Sequence, residues 1–211
     1  MYCKHRNDEL VELYSHTKYQ GADPEKARFL FFGLDANFNA CIDEWKHFPE
    51  IRSYLENGVH YWTDRGFHHP FLHPEYRGDG AKYHKQFSKI GFTREHAECV
   101  SFVELIDVPT CGRSHLEDDD MESSHMDRLK AWFDGPAKYI FIPRTVGHLL
   151  RRTPQFSGLR KEPIRHQGSL PVLYESPQKV VFDHFHFSCK GRHCPQDIKD
   201  RQLEDIGKLI W

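Results

Sequence analysis

The sequence has no apolar run long enough to cross a membrane, and we expect no transmembrane helix. Its first six residues, MYCKHR, contain no apolar core segment, so we expect no secretory signal. The GxSxG elbow, the phosphate-binding GxxxxGKS/T loop and a GxGxxG segment after the first apolar run are all absent. These absences argue against an α/β-hydrolase, a P-loop NTPase and a dinucleotide-dependent oxidoreductase.

Neither sign of charge is in large excess, because 29 Lys and Arg residues face 31 Asp and Glu residues. The distribution is uneven: residues 151–169 contain five Lys or Arg residues and one acid, whereas five of the six residues 117–122 are acidic. Such a pair of loops can orient a protein on DNA, but two solvated loops are the simpler interpretation of charge alone. The six cysteines are scattered and form no CxxC pair, which indicates reduced thiols and a cytoplasmic protein.

Four short apolar runs predict buried strands. Segments with helical spacing separate them, and this alternation is typical of an α/β fold. A chain of 211 residues fits one medium domain, so we expect a single domain over residues 1–211. The expected architecture is a three-layer α/β/α sandwich with a central, mostly parallel four-stranded sheet. The predicted strands are residues 28–34, 100–108, 137–142 and 179–187.

Five segments predict helices, and one long segment predicts none. Asn7 is the expected N-cap of the first helix, and Pro49 is expected to break the second. Residues 58–80 lack a clear period but are rich in His, Pro and aromatic residues, so we expect an ordered loop that forms a pocket wall. The predicted helices are residues 7–14, 43–56, 81–90, 123–133 and 195–210, and the wall aromatics are Tyr61, Trp62, Phe67, Phe71 and Tyr76.

Asp35 directly follows the first predicted strand, at the edge where parallel sheets bind ligands. A carboxylate there can take a proton from water and stabilise a developing cation, but Asp is equally common as the cap of a turn after a strand. Asn37 and Asn39 flank Phe38. The amides can read a base edge while the ring stacks on its face, although asparagine is just as common in turns.

A histidine cluster ends the last predicted strand. Alternation places His184, His186 and Ser188 on one side, where a histidine can donate a hydrogen bond to a departing base. A metal site that uses the two histidines is the alternative, but no CxxC or HExxH frame supports it. The further ligands of such a site would be Cys189, His193 or Cys194.

A short basic segment follows this cluster and consists of Lys190, Gly191 and Arg192. Its two basic side chains can contact phosphates if the segment enters a groove of DNA. The alternative is an ordinary turn between a strand and a helix, and the same residues can serve both purposes.

In their order, these segments resemble the motifs of the uracil-DNA glycosylase superfamily. Residues 29–38, FLFFGLDANF, resemble its first motif, an apolar strand followed by GQDPY, or by GINPG in the mismatch-specific branch. GFT at residues 91–93 and VELIDVPT at residues 103–110 are similar to GFT and KLVDRPT of that branch. Residues 186–192, HFSCKGR, resemble the second motif, HPS or NPS with its minor-groove wedge. The likeness extends over residues 26–210.

The resemblance implies a cytoplasmic, monomeric and monofunctional DNA glycosylase that flips a base out of DNA, hydrolyses its N-glycosidic bond and needs no metal or cofactor. Asp35 and Asn37 would belong to the catalytic group, and His186 would support the leaving base, with His184 as the alternative motif histidine. The implied substrate contacts are Phe38, Asn39, Glu104 and Trp62. The implied DNA contacts are Ser188, Lys190, Gly191, Arg192, Arg144 and Arg151.

Departures from the motifs point away from uracil as the substrate. Ala36 replaces a proline, Asn37 replaces the tyrosine or glycine that shapes a uracil pocket, and Phe187 replaces the proline of the second motif. Glu104 lies near the position where the superfamily reads the base with an amide or a lysine. A carboxylate only accepts hydrogen bonds, which suits a base with an exocyclic amine such as cytosine. The superfamily includes members that remove hypermodified phage bases, which suggests glucosylated hydroxymethylcytosine as the substrate base.

Three other functions stay open. The chain can be a repair glycosylase for uracil or hypoxanthine, or a catalytically silent relative that binds DNA or another protein. It can also be a metalloenzyme built on its His and Cys residues. An assay for abasic sites distinguishes a glycosylase from a binder, and elemental analysis identifies a metalloenzyme.

Overall fold

The computed structural model describes residues 2–78, 80–112, 116–192 and 194–211. Within these ranges the chain forms one seven-stranded sheet and a separate pair of short strands. The large sheet has the order β1-β4-β2-β6-β9-β8-β7, and β3 pairs with β5. The strands are β1 (Tyr19–Gly21), β2 (Phe29–Gly33), β3 (Asn37–Phe38), β4 (Val100–Glu104), β5 (Thr110–Cys111), β6 (Tyr139–Pro143), β7 (Arg165–Gln167), β8 (Leu170–Glu175) and β9 (Val180–His184).

The four predicted strands form the centre of the large sheet. β4, β2, β6 and β9 lie side by side and all pair in parallel. Every residue of β2 is buried, as expected for a strand that is covered on both faces. The prediction of a mixed α/β fold with a mostly parallel sheet is therefore confirmed, but the predicted number of four strands is wrong.

Three antiparallel strands at the edges of the sheet account for the difference. β1 pairs with β4 at one edge, whereas β8 and β7 extend the sheet beyond β9 at the other. β1 and β7 have three residues each, too few to show an alternating pattern. β8 contains Pro171, which has no N–H to donate to a sheet and therefore weakens the prediction of a strand.

The helices are α1 (Asp8–Thr17), α2 (Phe48–Glu56), α3 (Gly58–Arg65), α4 (Ala81–Phe87), α5 (Ser123–Asp134), α6 (Arg144–Leu150) and α7 (Gln196–Gly207). Asn7 caps α1 as predicted, since its side-chain oxygen accepts a hydrogen bond from the N–H of Leu10 at 2.8 Å. The predicted second helix is divided close to Pro49, because Ile42–Glu44 form a short 3-10 turn and α2 begins only at Phe48, with Pro49 in its first turn. None of the helices in the described ranges is long and apolar enough to span a membrane.

The prediction that residues 58–80 form a loop is wrong for the first part of the segment. Residues Gly58–Arg65 form α3, because Asn57 caps its start by accepting a hydrogen bond from the N–H of His60 at 2.9 Å. Gly66 ends the helix in the left-handed conformation, with φ of +78°. Both signals are present in the sequence, but a helix of 8 residues is too short to show a clear apolar period.

Alternate side chains of β2 face two different clusters of buried residues. Leu30 and Phe32 pack in a cluster that contains residues of α5 and α6. Phe29 and Phe31 pack in a second cluster that contains residues of α3, α4 and α7. Helices therefore cover both faces of the sheet, and the carboxyl ends of the parallel strands are left to meet at one edge.

Candidate active site

A cavity of about 640 Å³ opens at the carboxyl ends of the parallel strands. Gly33 and Glu104, the last residues of β2 and β4, line it together with Thr145, which follows β6, and His186, which follows β9. This is the position at which open parallel sheets bind ligands, and the volume falls within the range of about 300–1,000 Å³ for small-molecule sites.

Asp35 is fixed in this cavity by two side chains. Its Oδ2 accepts hydrogen bonds from Thr110 Oγ1 and, at 3.2 Å, from Asn37 Nδ2. The pairing of β3 with β5 brings Asn37 and Thr110 together, because they are partners in the register. Asn37 Nδ2 also lies 3.1 Å from Thr110 Oγ1 and 2.7 Å from the carbonyl oxygen of Gly112. The Asn37 amide nitrogen therefore orients the carboxylate. Thr110 also belongs to the site, although its position in the motif of residues 103–110 did not by itself indicate this role.

Glu104 presents a buried carboxyl group at the end of β4. Its Oε2 is buried and has no hydrogen-bond partner in the described part of the chain. Burial raises the pKa of Glu104 well above its usual range, and the negative charge of Asp35 raises it further. Both effects favour the protonated form of Glu104, which has one O–H donor and one carbonyl acceptor. The expectation of a group that only accepts hydrogen bonds did not consider this burial, which the sequence does not reveal.

Gly33 provides the space that the Glu104 carboxyl group occupies. The two residues are direct partners in the register of β2 and β4. A Cβ atom at position 33 would lie 2.5 Å from Glu104 Cδ and closer still to Oε2. A side chain at position 33 therefore cannot coexist with Glu104 in its present position.

His186 lines the cavity, whereas His184 does not. Nδ1 of His186 accepts a hydrogen bond from the N–H of Ser188 at 3.3 Å and lies 2.8 Å from Ser188 Oγ. Burial lowers the pKa of His186 to about 4, although the charge of Asp35 opposes this shift. The ring is therefore neutral at neutral pH, and because Nδ1 is an acceptor, its proton lies on Nε2.

His184 points into the protein interior. It is 1% exposed, and its Nδ1 donates a hydrogen bond to the carbonyl oxygen of Phe185 at 2.8 Å. Its ring packs 4.8 Å from that of Phe187, measured between ring centroids. This position contradicts a catalytic role for His184, and of the two histidines His186 is the one that can meet a ligand.

The expected base contacts separate into two groups. Phe38 lines the cavity together with Glu104, although its ring is 1% exposed and packs edge-on against Phe71. Asn39 is exposed, does not line the cavity and accepts a hydrogen bond from the N–H of Cys41 at 2.9 Å, which makes it a turn residue. Trp62 is 2% exposed and packs in the core beneath the sheet. The positions of Asn39 and Trp62 contradict the expected contacts with a base.

Part of the cavity lining is rich in buried histidines. His69 and His84 both line the cavity, and their rings stack with centroids 3.6 Å apart. His68 lies behind them, with its Nε2 3.0 Å from His84 Nδ1. Burial lowers the pKa of His69 and His84 well below the usual range and that of His68 to about 3, so all three are neutral at neutral pH. The His-rich composition of residues 58–84 was the available signal for this wall.

A disulfide between Cys189 and Cys194 closes the predicted DNA-contact segment into a small loop. The prediction of reduced thiols is wrong for these two cysteines, and neither is available as a thiolate for the alternative metal site. His193, another ligand considered for that site, lies outside the described residues. Lys190, Gly191 and Arg192 are all exposed inside this loop.

Two lysines hold the start of the same loop beside the cavity. Lys82 Nζ donates to the carbonyl oxygens of Ser188 at 2.6 Å and Cys189 at 3.2 Å. Lys199 Nζ donates to the carbonyl oxygen of Cys189 at 3.2 Å. Burial lowers the pKa of Lys82, and the charges of Lys199 and Lys190 lower it further, which reflects a concentration of positive charge at the cavity mouth.

The other expected DNA contacts are dispersed. Arg144 precedes the cavity residue Thr145 and is 54% exposed, although its guanidinium forms a salt bridge of 3.0 Å with Asp183. Arg151 lies at the end of α6 and donates to the carbonyl oxygen of Arg160 at 3.3 Å. The basic residues 151–169 do not form one free loop, because part of this segment belongs to the edge strands β7 and β8.

No protein-family model matches the sequence, and no curated protein sequence shows significant similarity to it. The chemistry of the cavity and of the residues around it is therefore the basis on which a function can be assigned.

Proposed function

We propose that the protein is a monofunctional DNA glycosylase of the uracil-DNA glycosylase superfamily. In this proposal it flips one nucleotide out of DNA and hydrolyses the N-glycosidic bond, which leaves a free base and an abasic site. The observation that carries the proposal is the meeting of the Asp35 carboxylate with two neutral proton-bearing groups, Glu104 and His186, in one cavity at the strand ends. This combination suits a reaction in which positive charge develops on the sugar and negative charge on the base.

Asp35 has the chemistry that the sugar side of this reaction needs. Hydrogen bonds from Thr110 and Asn37 to Oδ2 orient the carboxylate, which can position a water molecule in the cavity. The carboxylate takes the proton of that water as it attacks C1′, and its charge stabilises the oxocarbenium-like sugar. No lysine Schiff base is needed for this step, so no strand cleavage follows.

His186 serves the departing base. The proton on Nε2 can be donated to a base oxygen that gains negative charge as the bond breaks. Ser188 fixes the ring by donating to Nδ1. A neutral imidazole that carries its proton on Nε2 is a suitable donor for this step.

Glu104 supports recognition of the Watson–Crick edge. Its O–H can donate to N3 of cytosine while its carbonyl oxygen accepts from the exocyclic amine. The same acid can also pair with O4 and N3–H of uracil, so this edge does not decide the base by itself. The volume of about 640 Å³ and the polar wall of His69 and His84 favour a base with a large hydroxylated substituent. We propose a modified cytosine in phage DNA, such as glucosylated hydroxymethylcytosine.

DNA binding in this proposal uses the mouth of the cavity. Lys190 and Arg192 would contact phosphates from the disulfide-closed loop, and Arg144 would do so from the start of α6. Flipping costs a few kcal/mol of stacking, which the cavity and loop contacts must offset. The proposed enzyme acts as a monomer in the cytoplasm.

Asp35→Asn tests the proposal. Oligonucleotides that contain uracil, hypoxanthine, hydroxymethylcytosine or its glucosylated form are incubated with protein, and alkali-labile sites are counted. We expect excision to fall by about 10²–10⁴-fold, whereas DNA affinity in a gel shift stays within about twofold. Asp64→Asn, an exposed carboxylate on α3, is the matched control and should keep full activity. DNA binding without alkali-labile sites on any substrate would instead identify a DNA-binding module.

A further inference from the structure

His47, Glu50 and His73 bring three metal-ligand atoms together outside the cavity. One ligand atom from each lies within 4.8 Å of the others, and no other such group of three His, Cys, Asp or Glu occurs in the described ranges. We propose that these residues bind one Zn²⁺ ion that fastens the cavity wall to α2. The site is independent of the proposed glycosylase activity, because none of its three residues lines the cavity.

The local fold explains why the three side chains meet. His47 directly precedes α2 and Glu50 lies in its first turn, three residues further along, so both project from the same side of the helix start. His73 follows the short helical turn Pro70–Leu72. The ring centroids of His47 and His73 are 4.0 Å apart, and Trp45 packs against both rings.

The contact between His47 and Glu50 has the dimensions of a metal site. His47 Nδ1 lies 3.6 Å from Glu50 Oε1, which is too long for a hydrogen bond. Two ligand atoms that are each about 2.0–2.1 Å from a tetrahedral Zn²⁺ lie about 3.4 Å apart. A small movement of either side chain therefore makes room for the ion between them.

Neighbouring groups orient both ligands in the way that metal sites require. Glu75 Oε2 lies 3.2 Å from His47 Nε2 and can accept a hydrogen bond from Nε2–H, which leaves the Nδ1 lone pair for the metal. Tyr61 donates its O–H to Glu50 Oε2 at 2.9 Å, which leaves Oε1 for the metal. A carboxylate behind a ligating histidine and a donor behind a ligating carboxylate are typical second-layer contacts of zinc sites.

His73 would be the third protein ligand, and it would lose one weak hydrogen bond when it binds the metal. Its Nδ1 accepts from the N–H of Glu75 at 3.2 Å, so the neutral ring carries its proton on Nε2. Metal binding through Nε2 moves that proton to Nδ1 and replaces this contact. The His47 side chain is 26% exposed, so water can supply the fourth ligand. Two imidazoles and a carboxylate favour Zn²⁺ over Ca²⁺ or Mg²⁺.

The bound ion would stabilise the wall of the cavity. His73 lies between Phe71 and Tyr76 in the sequence, and these two rings stack with centroids 4.2 Å apart. Phe71 lines the cavity. A metal bond from His73 to α2 therefore anchors the segment that carries this wall, in the way that structural zinc sites join separate segments.

Zinc titration of the full chain tests the site. The protein is stripped with a chelator and dialysed, and ZnCl₂ is then titrated in a calorimeter, with elemental analysis of the protein as purified to distinguish zinc from iron. We expect one Zn²⁺ per chain and a higher melting temperature in its presence. His73→Gln and Glu50→Gln should each weaken binding by about tenfold or more and remove the thermal shift. His60→Gln is the control, because His60 is not one of the three proposed ligands and its ring pairs with Asp64 at 3.1 Å.

Two outcomes would overturn the site. The first is the absence of stoichiometric zinc binding by the wild-type protein. The second is zinc binding that His73→Gln and Glu50→Gln leave as tight as His60→Gln does. If a ligand variant does not fold, Glu75→Gln provides the test, since it keeps all three ligands and should still weaken binding about 10–100-fold.

Discussion

Replacing Gly33 with alanine should displace the Glu104 carboxyl group. The added Cβ would lie 2.5 Å from Glu104 Cδ, 2.6 Å from Oε1 and closer still to Oε2, whereas real Cβ contacts do not fall below 3.0 Å. Gly33 does not have a positive φ, so its backbone accepts alanine without strain. The three atoms nearest to the added Cβ all belong to Glu104, whose carboxyl group therefore has to move by about 1 Å.

The size of the effect follows from this movement. Forcing an extra methyl group into a packed site costs about 1–3 kcal/mol of unfolding free energy. A misplacement of about 1 Å in a group that positions the substrate can cost on the order of 100-fold in rate. We therefore expect Gly33→Ala to lose both stability and excision activity, although alanine is by itself the better residue in a strand by about 0.5–1 kcal/mol.

A double-mutant cycle isolates the contact. In the Glu104→Ala background the carboxyl group is absent, so Gly33→Ala should be neutral or stabilising. Urea unfolding of the four proteins should give a coupling energy of about 1–3 kcal/mol between the two positions. If Gly33→Ala costs the same in both backgrounds within about 0.5 kcal/mol, the account of Gly33 as the space for Glu104 is refuted.

Two further predictions concern pH and salt. Burial lowers the pKa of His184 to about 3, so below about pH 6.5 the unfolded chain takes up a proton at this residue that the folded protein does not. His184 by itself should therefore lower the free energy of unfolding by about 1.4 kcal/mol per pH unit, in addition to the contributions of the other buried histidines. His184→Gln should make this fall shallower in urea titrations between pH 4 and pH 7, and parallel curves would contradict the assignment. The double variant Lys190→Gln/Arg192→Gln should lower the slope of the logarithm of DNA affinity against the logarithm of salt concentration by about 2. Lys26→Gln is the control and should leave this slope unchanged, because Lys26 precedes β2, at the end of the strand away from the cavity. Equal slopes for the double variant and for Lys26→Gln would exclude the loop as a phosphate contact.

The centre of the fold could be predicted because its strands are continuous apolar runs. β2 is buried along its whole length, and such a run is visible without any knowledge of its neighbours. The edge strands were missed since their pairing is decided by the rest of the sheet, and Pro171 in β8 argues locally against a strand. α3 was missed for a similar reason, because its caps, Asn57 and Gly66, lie around a segment without a clear apolar face.

The residues of the candidate site could be predicted where they follow a predicted parallel strand, because the strand end determines where such a residue lies in the fold. Asp35, Glu104 and His186 each lie at or just after the carboxyl end of a parallel strand, and the topology alone brings such residues together. The protonation of Glu104 could not be predicted, since it depends on burial and on the charge of Asp35. The interior position of Trp62 was equally hidden, because an aromatic residue in a wall and one in a core have the same sequence signature.

The most direct test of the proposed function is the release of a base from DNA under single-turnover conditions. A duplex that carries one glucosylated hydroxymethylcytosine is mixed with excess protein, and the free base and the abasic strand are measured by mass spectrometry. We expect the wild-type protein to release one modified base for each abasic site formed, and Asp35→Asn to release almost none. Excision of uracil alone would contradict the proposed substrate. The absence of any released base from the whole set of substrates would contradict the glycosylase itself.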